Sequence, residues 1–378
     1  MIDYEILKLI WWLLVGVLLL GFAVMDGHDM GVGTLLPFVG KSDDERRVIL
    51  NSVGPHWEGN QVWFITAGGA IFAAWPLVYA AAFSGFYFAM LAVLWALFFR
   101  PVGFDYRSKV PDARWRSFWD WGIFVGSAVP ALVFGVAFGN VIQGVPFHFS
   151  DIMMPYYTGS FWALFNPFAL LCGVVSLSML VAHGANYLVI RTEGQVQQRA
   201  RRASMIFTLI MLLAFALGGV MVADMPGYVI SSVVEPGAAQ SPLTKTVVVQ
   251  AGAWLENYQR YPLTMLIPAL GFIGGVLSIL LVASKRGSLA FIATGIAELG
   301  IIFTAGVSIF PFVLPSSSQP GSSLTVWDCV SSQRTLGIMF WVALVMTPII
   351  ILYTSWAYRA MRGKLTVAHI QANKHSAY

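Results

Sequence analysis

Charge is scarce in this sequence. Asp, Glu, Lys and Arg together make up 11% of the 378 residues, and the stretch from Gln61 to Phe99 carries no charged residue. Soluble domains carry roughly a quarter charged residues, so the composition excludes an ordinary soluble domain. As a single helix the uncharged stretch would be ~58 Å long, far more than one crossing of a bilayer requires. We therefore expect the chain to cross a membrane several times.

Cysteine is also scarce, and several common motifs are absent. Of the two cysteines, Cys172 lies in an apolar segment and Cys329 in a loop, so no disulfide framework is expected. The sequence has no phosphate-binding loop, dinucleotide fingerprint, CxxC or HExxH motif. Its net charge of +4 is spread over short loops and does not indicate a nucleic-acid partner. The N-terminus lacks the basic start of a signal peptide, so the first apolar run is expected to be a retained span.

Nine segments reach the ~20 apolar residues that a membrane helix needs. Proline disfavours a continuous helix, so Trp75-Pro76 predicts a break within the uncharged stretch and a tight helical hairpin around it. The sequence thus predicts an all-α integral membrane protein, with one polytopic transmembrane domain over residues 1–378. The nine spans are expected near residues 8–36, 58–75, 77–99, 119–142, 160–190, 203–223, 261–284, 288–313 and 335–358.

The basic residues predict the orientation of these spans. With the N-terminus on the outer side, the inner loops carry 18 of the 22 Lys and Arg residues. Cytoplasmic loops of membrane proteins carry an excess of basic residues of this kind. We therefore predict a periplasmic N-terminus and a cytoplasmic C-terminus.

Two connecting segments carry local signals. On the inner side, Ser42 followed by Glu45 forms a capping-box pattern, which predicts a short helix ending at Gly54-Pro55. On the outer side, the long segment 224–260 is expected to hold a short amphipathic piece around Leu243 to Leu255.

Carboxylates gather at the inner end of the predicted spans. Asp26 and Asp29 are three residues apart and share one face of the first helix. Glu58 opens the second span on the same side, and Asp105 follows Arg100 at the end of the third. Two interpretations are open for each acid. In the first it forms an interfacial ion pair or helix cap, and in the second it belongs to a proton uptake route. For Asp26, Asp29 and Glu58 together we favour the proton uptake route.

Other polar and aromatic residues leave their roles open. Glu298 is the one acid of an otherwise uncharged span, and either faces a cavity or hydrogen-bonds to a neighbouring helix. The six histidines include no obvious pair across two helices, so we expect no haem ligand and no metal site in this chain. Trp57 and Trp63 flank Glu58 and either line a site or belong to the interfacial aromatic belt.

Five segments together resemble subunit II of the bacterial cytochrome bd quinol oxidases, and the resemblance runs along the whole chain. Two further features, the length of the chain and the nine predicted spans, fit this family as well. The segments are Ile10 to Leu14 (IWWLL), Asp26 to Gly33 (DGHDMGVG), His56 to Trp63 (HWEGNQVW), Phe98 to Arg107 (FFRPVGFDYR) and Pro311 to Ser317 (PFVLPSS).

The resemblance implies a function that composition does not show. The complex of this family, in the bacterial cytoplasmic membrane, oxidises quinol and reduces dioxygen to water. It takes protons from the cytoplasm and so generates a proton motive force. Its two b-type haems and one d-type haem belong to the partner, subunit I, which forms a heterodimer with subunit II. A small single-span accessory subunit accompanies some complexes. Subunit II is expected to ligate no haem, to carry no catalytic residue, to contact quinol and lipids, and to hold a structural quinone. Its expected fold is two four-helix bundles plus one peripheral helix.

The resemblance also implies roles for particular residues. Glu58 falls on the family's acidic position associated with proton uptake, and we take Asp26, Asp29 and Asp105 as further candidates for the proton path. Asp29 and Arg100 match positions important for assembly or haem retention. Trp57 matches a residue near the bound quinone, and Trp63 is our second candidate there. In two places the sequence departs from the family: His28 stands where Phe is more usual, and Glu298 has no known counterpart.

Two other functions compete with the oxidase subunit. In a secondary transporter, the acids would be coupling sites and the helices broken by Gly and Pro would be gates. A purely structural assembly subunit would need none of the acids for turnover. Co-purification with a haem-bearing partner distinguishes the oxidase subunit from the transporter.

Overall fold

The computed structural model describes residues 2–372, which fold into thirteen α-helices and six short β-strands. Lys374, counted above on the inner side, lies outside the described residues. The helices are α1 (Tyr4–Val39), α2 (Asp43–Val53), α3 (Trp57–Ala74), α4 (Pro76–Gly85), α5 (Tyr87–Tyr106), α6 (Ala113–Gln143), α7 (Pro167–Arg191), α8 (Gly194–Ala223), α9 (Glu256–Arg260), α10 (Leu266–Ala283), α11 (Gly287–Ile309), α12 (Gln333–Ala360) and α13 (Val367–Ala372). The strands are β1 (Phe147–Phe149), β2 (Pro155–Tyr157), β3 (Pro226–Ile230), β4 (Val247–Ala251), β5 (Phe312–Leu314) and β6 (Leu324–Thr325).

The long helices account for the predicted spans. Within residues 2–372, eight helices are long and apolar enough to cross a membrane, or up to nine when the bent pair α3 and α4 counts as one span. Each of the nine predicted segments overlaps one of these helices. The first, α1, has 36 residues and is capped at its N-terminus by Asp3, whose side chain accepts a hydrogen bond from the Glu5 amide. At 1.5 Å per residue it is ~54 Å long, so it extends well beyond the ~30 Å apolar layer of a bilayer.

The uncharged stretch breaks where proline predicted, but the chain does not return directly. Trp75 ends α3, and Pro76 opens the ten-residue helix α4, which is bent by 119° from α3. The next membrane helix, α5, begins at Tyr87, so the expected start of this span at residue 77 was wrong. The reason is that proline fits the first turn of a helix, where it starts α4 as well as ending α3. This short helix packs against β2 and β5.

The first helix lies at the centre of the fold. It packs against α3, α6, α7 and α11, while α12 is peripheral and has Leu336 as its one buried residue. The closest contact is between α1 and α7, where glycines face each other. A Cβ atom added to Gly31 would lie 2.1 Å from the carbonyl oxygen of Leu180, and one added to Gly184 would lie 2.6 Å from that of His28. Glycine therefore sets the distance between these two helices.

The connecting segments fold as predicted on one side and differently on the other. Ser42 and Glu45 form the expected capping box of α2, which ends at Gly54. The segments on the opposite side form three antiparallel hairpins, so the fold is not purely helical. One of these hairpins pairs β3 with β4 in the middle of the expected amphipathic piece, because the run Val247 to Val249 favours a strand. Cys172 and Cys329 are both free, as expected.

Candidate functional site

A buried ion pair joins α1 to α5. The guanidinium of Arg100 donates to both carboxylate oxygens of Asp26, over 2.6 Å and 3.1 Å, and both side chains are at most 1% exposed. The indole of Trp57 lies 5.4 Å from the guanidinium and stacks on Phe104. Two parallel charge-assisted hydrogen bonds fix the geometry as well as neutralising the charge. This pair lies at the C-terminal end of the uncharged stretch and joins α5 to the central helix α1.

Asp29 lies in a different set of contacts, although it shares a helix face with Asp26. We call His28, Asp29, His56, Asn60 and Tyr358 the Asp29 cluster; these residues come from α1, the start of α3 and the end of α12. The Asn60 amide donates to Asp29 Oδ2 over 2.7 Å, and His28 Nε2 and His56 Nδ1 lie 3.1 Å and 3.7 Å from Asp29 Oδ1. His28, Asp29, His56 and Asn60 are buried, and Tyr358 is half-buried at one side.

Backbone carbonyls hold both histidines of the cluster. His28 Nδ1 lies 2.9 Å from the Val24 carbonyl oxygen, and His56 Nε2 lies 3.1 Å from that of Ser52. Carbonyl oxygens only accept, so each of these ring nitrogens is the donor. The opposite nitrogens, His28 Nε2 and His56 Nδ1, therefore point towards Asp29 and Tyr358. The orientation of each ring is fixed by the protein.

A second buried acid lies beyond the cluster, on α11. Glu298 is fully buried, and neither of its carboxyl oxygens has a hydrogen-bond partner among the described residues. His183 Nε2 lies 4.0 Å from Glu298 Oε2, and His183 Nδ1 lies 2.6 Å from the Thr294 hydroxyl. Glu298 makes no hydrogen bond to a neighbouring helix among the described residues, and it does not line the large cavity described below.

The remaining predicted proton-path residues are apart from these buried groups. Glu58 and Asp105 are both exposed, and the structure brings neither into the Asp29 cluster. On α3, Glu58 and Asn60 are two residues apart and so project in different directions. Of the tryptophans, Trp57 is buried against Arg100 and Phe104, and Trp63 is half-buried against Gly21 of α1.

Ion pairs around α2 account for other charged residues. Asp120 accepts hydrogen bonds from Arg46 and Arg107, at 2.7 Å and 2.5 Å, and Arg107 also donates to Asp43. In the same region Glu45 pairs with Arg199. Burial raises the pKa of Glu45, but hydrogen bonds from Arg199 and from two backbone amides outweigh it and hold this pKa below its ordinary value. These acids match the first interpretation, in which an acid forms an interfacial ion pair or a helix cap.

A large apolar cavity of about 1380 Å³ lies between the helices, where Leu19, Phe22 and Ala23 of α1 line it. Its walls come from eight long helices, with a few polar groups such as Tyr258, Gln259 and Ser308. Paired glycines widen it, since a Cβ atom added to three of them would meet no atom within 4 Å, and one added to Gly218 would meet only Leu171, at 3.9 Å. These glycines are Gly68, Gly69, Gly218 and Gly219. Trp63 does not line the cavity, but its neighbour Phe64 does.

Sequence reasoning missed part of the site. His56 and Asn60 belong to the HWEGNQVW segment, whose polar residues at helical spacing were a usable signal. His183 and Tyr358 gave none, because a lone histidine or tyrosine in an apolar helix is an ordinary packing residue. The cavity also gave no signal, because it is formed by helices that are far apart in sequence.

Comparison with known proteins places the chain in one group. The family model for cytochrome bd terminal oxidase subunit II matches residues 7–361. Over the full length of both chains, the sequence is 56% identical to the cytochrome bd-I ubiquinol oxidase subunit 2 of Escherichia coli (strain K12). It is 53% identical to the probable cytochrome oxidase subunit 2 of Haemophilus influenzae, again over both full lengths. The fold resembles a chain in the structure of bd oxidase from Geobacillus thermodenitrificans, with a TM-score of 0.71 at 14% identity over 94% of this chain and 98% of that one.

Proposed function

The chain belongs to the cytochrome bd terminal oxidase subunit II family, and from this membership we propose its part in the oxidase complex. It is the partner of a haem-bearing subunit I in a heterodimer that oxidises quinol and reduces dioxygen to water. The quinol is of the ubiquinol class, which the name of the Escherichia coli relative specifies. The match along the whole chain, at 56% identity, is the observation that supports this proposal most strongly.

The arrangement in the membrane follows from the same membership and from the basic residues. The whole chain is one polytopic domain in the bacterial cytoplasmic membrane, with the N-terminus in the periplasm and the C-terminus in the cytoplasm. Eight spans form two four-helix bundles, and α12 is the additional helix. The single buried residue of α12 supports its peripheral place.

The complex takes up protons from the cytoplasm and so generates a proton motive force. Of the four candidates for the proton path, Glu58 and Asp105 are exposed, and Asp26 and Asp29 are buried. The exposed pair receives protons, and the buried pair fixes the inner ends of the helices around the route. Asp29 and Arg100 also support assembly and haem retention, because each is a buried charge held by residues of another helix.

Cofactors divide between the two subunits. Subunit I ligates the two b-type haems and the d-type haem. This chain holds a structural quinone, and the apolar cavity beside α3 has the volume and lining for an isoprenoid tail. Trp57, buried against Arg100, is too enclosed for direct quinone contact, so Trp63 beside Phe64 is the better candidate.

Purification of the tagged chain in mild detergent tests the main proposal. A reduced-minus-oxidised spectrum with b-type and d-type haem bands, together with a second large membrane subunit, is expected. The same subunit inventory shows whether a small single-span accessory subunit is bound. A folded chain without haem or partner would overturn the proposal and favour the secondary transporter.

Replacing Glu58 by Gln is expected to lower quinol oxidase turnover by at least about tenfold while the haem bands keep their intensity. The physical reason is that an amide cannot take up and release the proton that a carboxylate transfers. Oxygen consumption per haem d measures the effect. Glu193→Gln is the matched control, because Glu193 is an exposed acid at the start of α8 and is predicted to have no part in proton uptake. Unchanged turnover in Glu58→Gln would favour the purely structural subunit.

A further inference from the structure

The Asp29 cluster contains several side chains that can ligate a metal ion. His28, Asp29 and His56 each present one ligand atom, and these three atoms lie within 4.8 Å of one another. Asp29 Oδ1 is buried, and His28 Nε2 approaches it to 3.1 Å. Asn60 holds the carboxylate through the other oxygen, Oδ2, and its amide nitrogen also lies 3.1 Å from His56 Nδ1. Asp29 Oδ1 is thus aimed at two histidine nitrogens.

The spacing of the ligand atoms suits a small tetrahedral ion. Zn²⁺ binds nitrogen and oxygen ligands at about 2.0–2.1 Å, which places tetrahedral ligands about 3.3 Å from each other. Asp29 Oδ1 lies 3.1 Å from His28 Nε2 and 3.7 Å from His56 Nδ1. The Tyr358 hydroxyl oxygen lies 3.4 Å and 3.3 Å from the same two nitrogens. Four of the six separations among these potential ligands are therefore close to the expected value, and the two histidine nitrogens lie within 4.8 Å of each other.

The surroundings of the histidines are also those of metal ligands. A ligating histidine almost always donates its other ring N–H to a carbonyl or carboxylate, which fixes the tautomer and the ring. His28 and His56 both do this, through Val24 and Ser52. Access is available from one side, because Tyr358 is half-buried and belongs to the peripheral helix α12.

From this geometry we propose that the Asp29 cluster is a binding site for a divalent transition-metal ion, with Zn²⁺ as the best fit. His28 Nε2, His56 Nδ1 and Asp29 Oδ1 are the ligands, and the Tyr358 hydroxyl takes the fourth position. Nitrogen and carboxylate ligands in this number favour zinc over magnesium or calcium, which prefer oxygen ligands alone. The proposal departs from the sequence-based expectation of no metal site.

The test is the zinc content of the intact complex, purified through a tag without histidine and dialysed against a chelator. Zinc is measured by mass spectrometry per copy of this chain, before and after addition of zinc sulfate and removal of the excess. We expect one bound zinc per chain in the unaltered protein. His28→Phe is expected to raise the Kd for zinc by more than about 100-fold, since even outer-shell partners of a metal site are worth about 10- to 100-fold.

Controls separate the site from loss of the fold. His148→Phe makes the same change in β1, away from the cluster, and should keep the zinc. Tyr358→Phe removes only the fourth ligand from a half-buried position, so it gives a second variant should His28→Phe fail to assemble. It is expected to weaken zinc binding by about 10- to 100-fold. Haem spectra and gel filtration confirm assembly of each variant.

Equal zinc retention by the unaltered protein and both cluster variants would overturn the proposal, whether all retain zinc or none does. The cluster would then be a hydrogen-bonded ion pair between His28 and Asp29. Since zinc is counted per copy of this chain, the result does not depend on oxidase activity.

Discussion

Replacing Arg100 by Leu is expected to destabilise the subunit by about 3–5 kcal/mol, enough to prevent assembly of the complex. The substitution leaves the Asp26 carboxylate buried without its partner. Removing one member of a buried ion pair costs far more than the pair contributes, because an uncompensated charge remains in an apolar environment. The pair is at most 1% exposed, so water cannot solvate the remaining acid. The measurement is the amount of assembled, haem-containing complex, together with its thermal inactivation.

The double variant Asp26→Leu with Arg100→Leu distinguishes a charge effect from a packing effect. With both charges removed, most of the assembly is expected to return, since a buried pair replaced by apolar residues is often nearly neutral. Arg116→Leu is the matched control, because it breaks a half-exposed ion pair with Asp43. Such pairs are worth about 0–1 kcal/mol. An Arg100→Leu variant as stable as Arg116→Leu would contradict the prediction.

Replacing Gly31 by Ala is expected to have the second large effect, a loss of about 1–3 kcal/mol or more. Its Cβ atom would lie 2.1 Å from the Leu180 carbonyl oxygen, so α1 and α7 must move apart. Overpacking a tight core costs this much, and backbone atoms cannot swing aside as a flexible side chain can. Because Gly31 lies one turn from His28, the movement would also disturb the Asp29 cluster. The rate of thermal inactivation of the purified complex measures the loss.

Gly219→Ala on α8 is the matched control for Gly31. A Cβ atom there meets no atom within 4 Å, and alanine favours a helix by about 1 kcal/mol over glycine. This variant should therefore be as stable as the unaltered protein or slightly more stable. A similar loss in both variants would mean that helix separation at Gly31 is not the cause.

The sequence was sufficient to predict the long helices, and it predicted those helix ends at which a local chemical rule applied. The capping box at Ser42 and Glu45 was confirmed because the bonds that form it are local. The break at Trp75-Pro76 was also predicted correctly, but the helix α4 was missed, since proline is as suitable for starting a helix as for stopping one. The valine-rich strand β4 was missed because hairpin pairing depends on its distant partner β3.

The candidate site was predictable only in part, because helix faces do not determine pairing partners. Asp26 and Asp29 share a face, which suggested one acidic cluster. In the structure Asp26 pairs with Arg100, whereas Asp29 contacts the histidines. The two acids have different partners because different helices lie beside them at their two positions along α1. Glu58 was expected near both, yet it is exposed. Contacts from far along the chain decided these arrangements, and spacing along one helix could not specify them.

The contact between Tyr358 and the start of α3 can form only late in the synthesis of the chain. A separation of 298 residues lies between Tyr358 and its partner Asn60, whereas only 74 lie between Asp26 and Arg100. At a synthesis rate of about 5–20 residues per second, Arg100 follows Asp26 within about 4–15 s, but Tyr358 follows Asn60 only after about 15–60 s. The growing chain therefore has the partner of Asp26 early, while His28, Asp29 and His56 lack the contact with Tyr358 until α12 has been made. Any ion or chaperone that meets them during biogenesis has that interval in which to act.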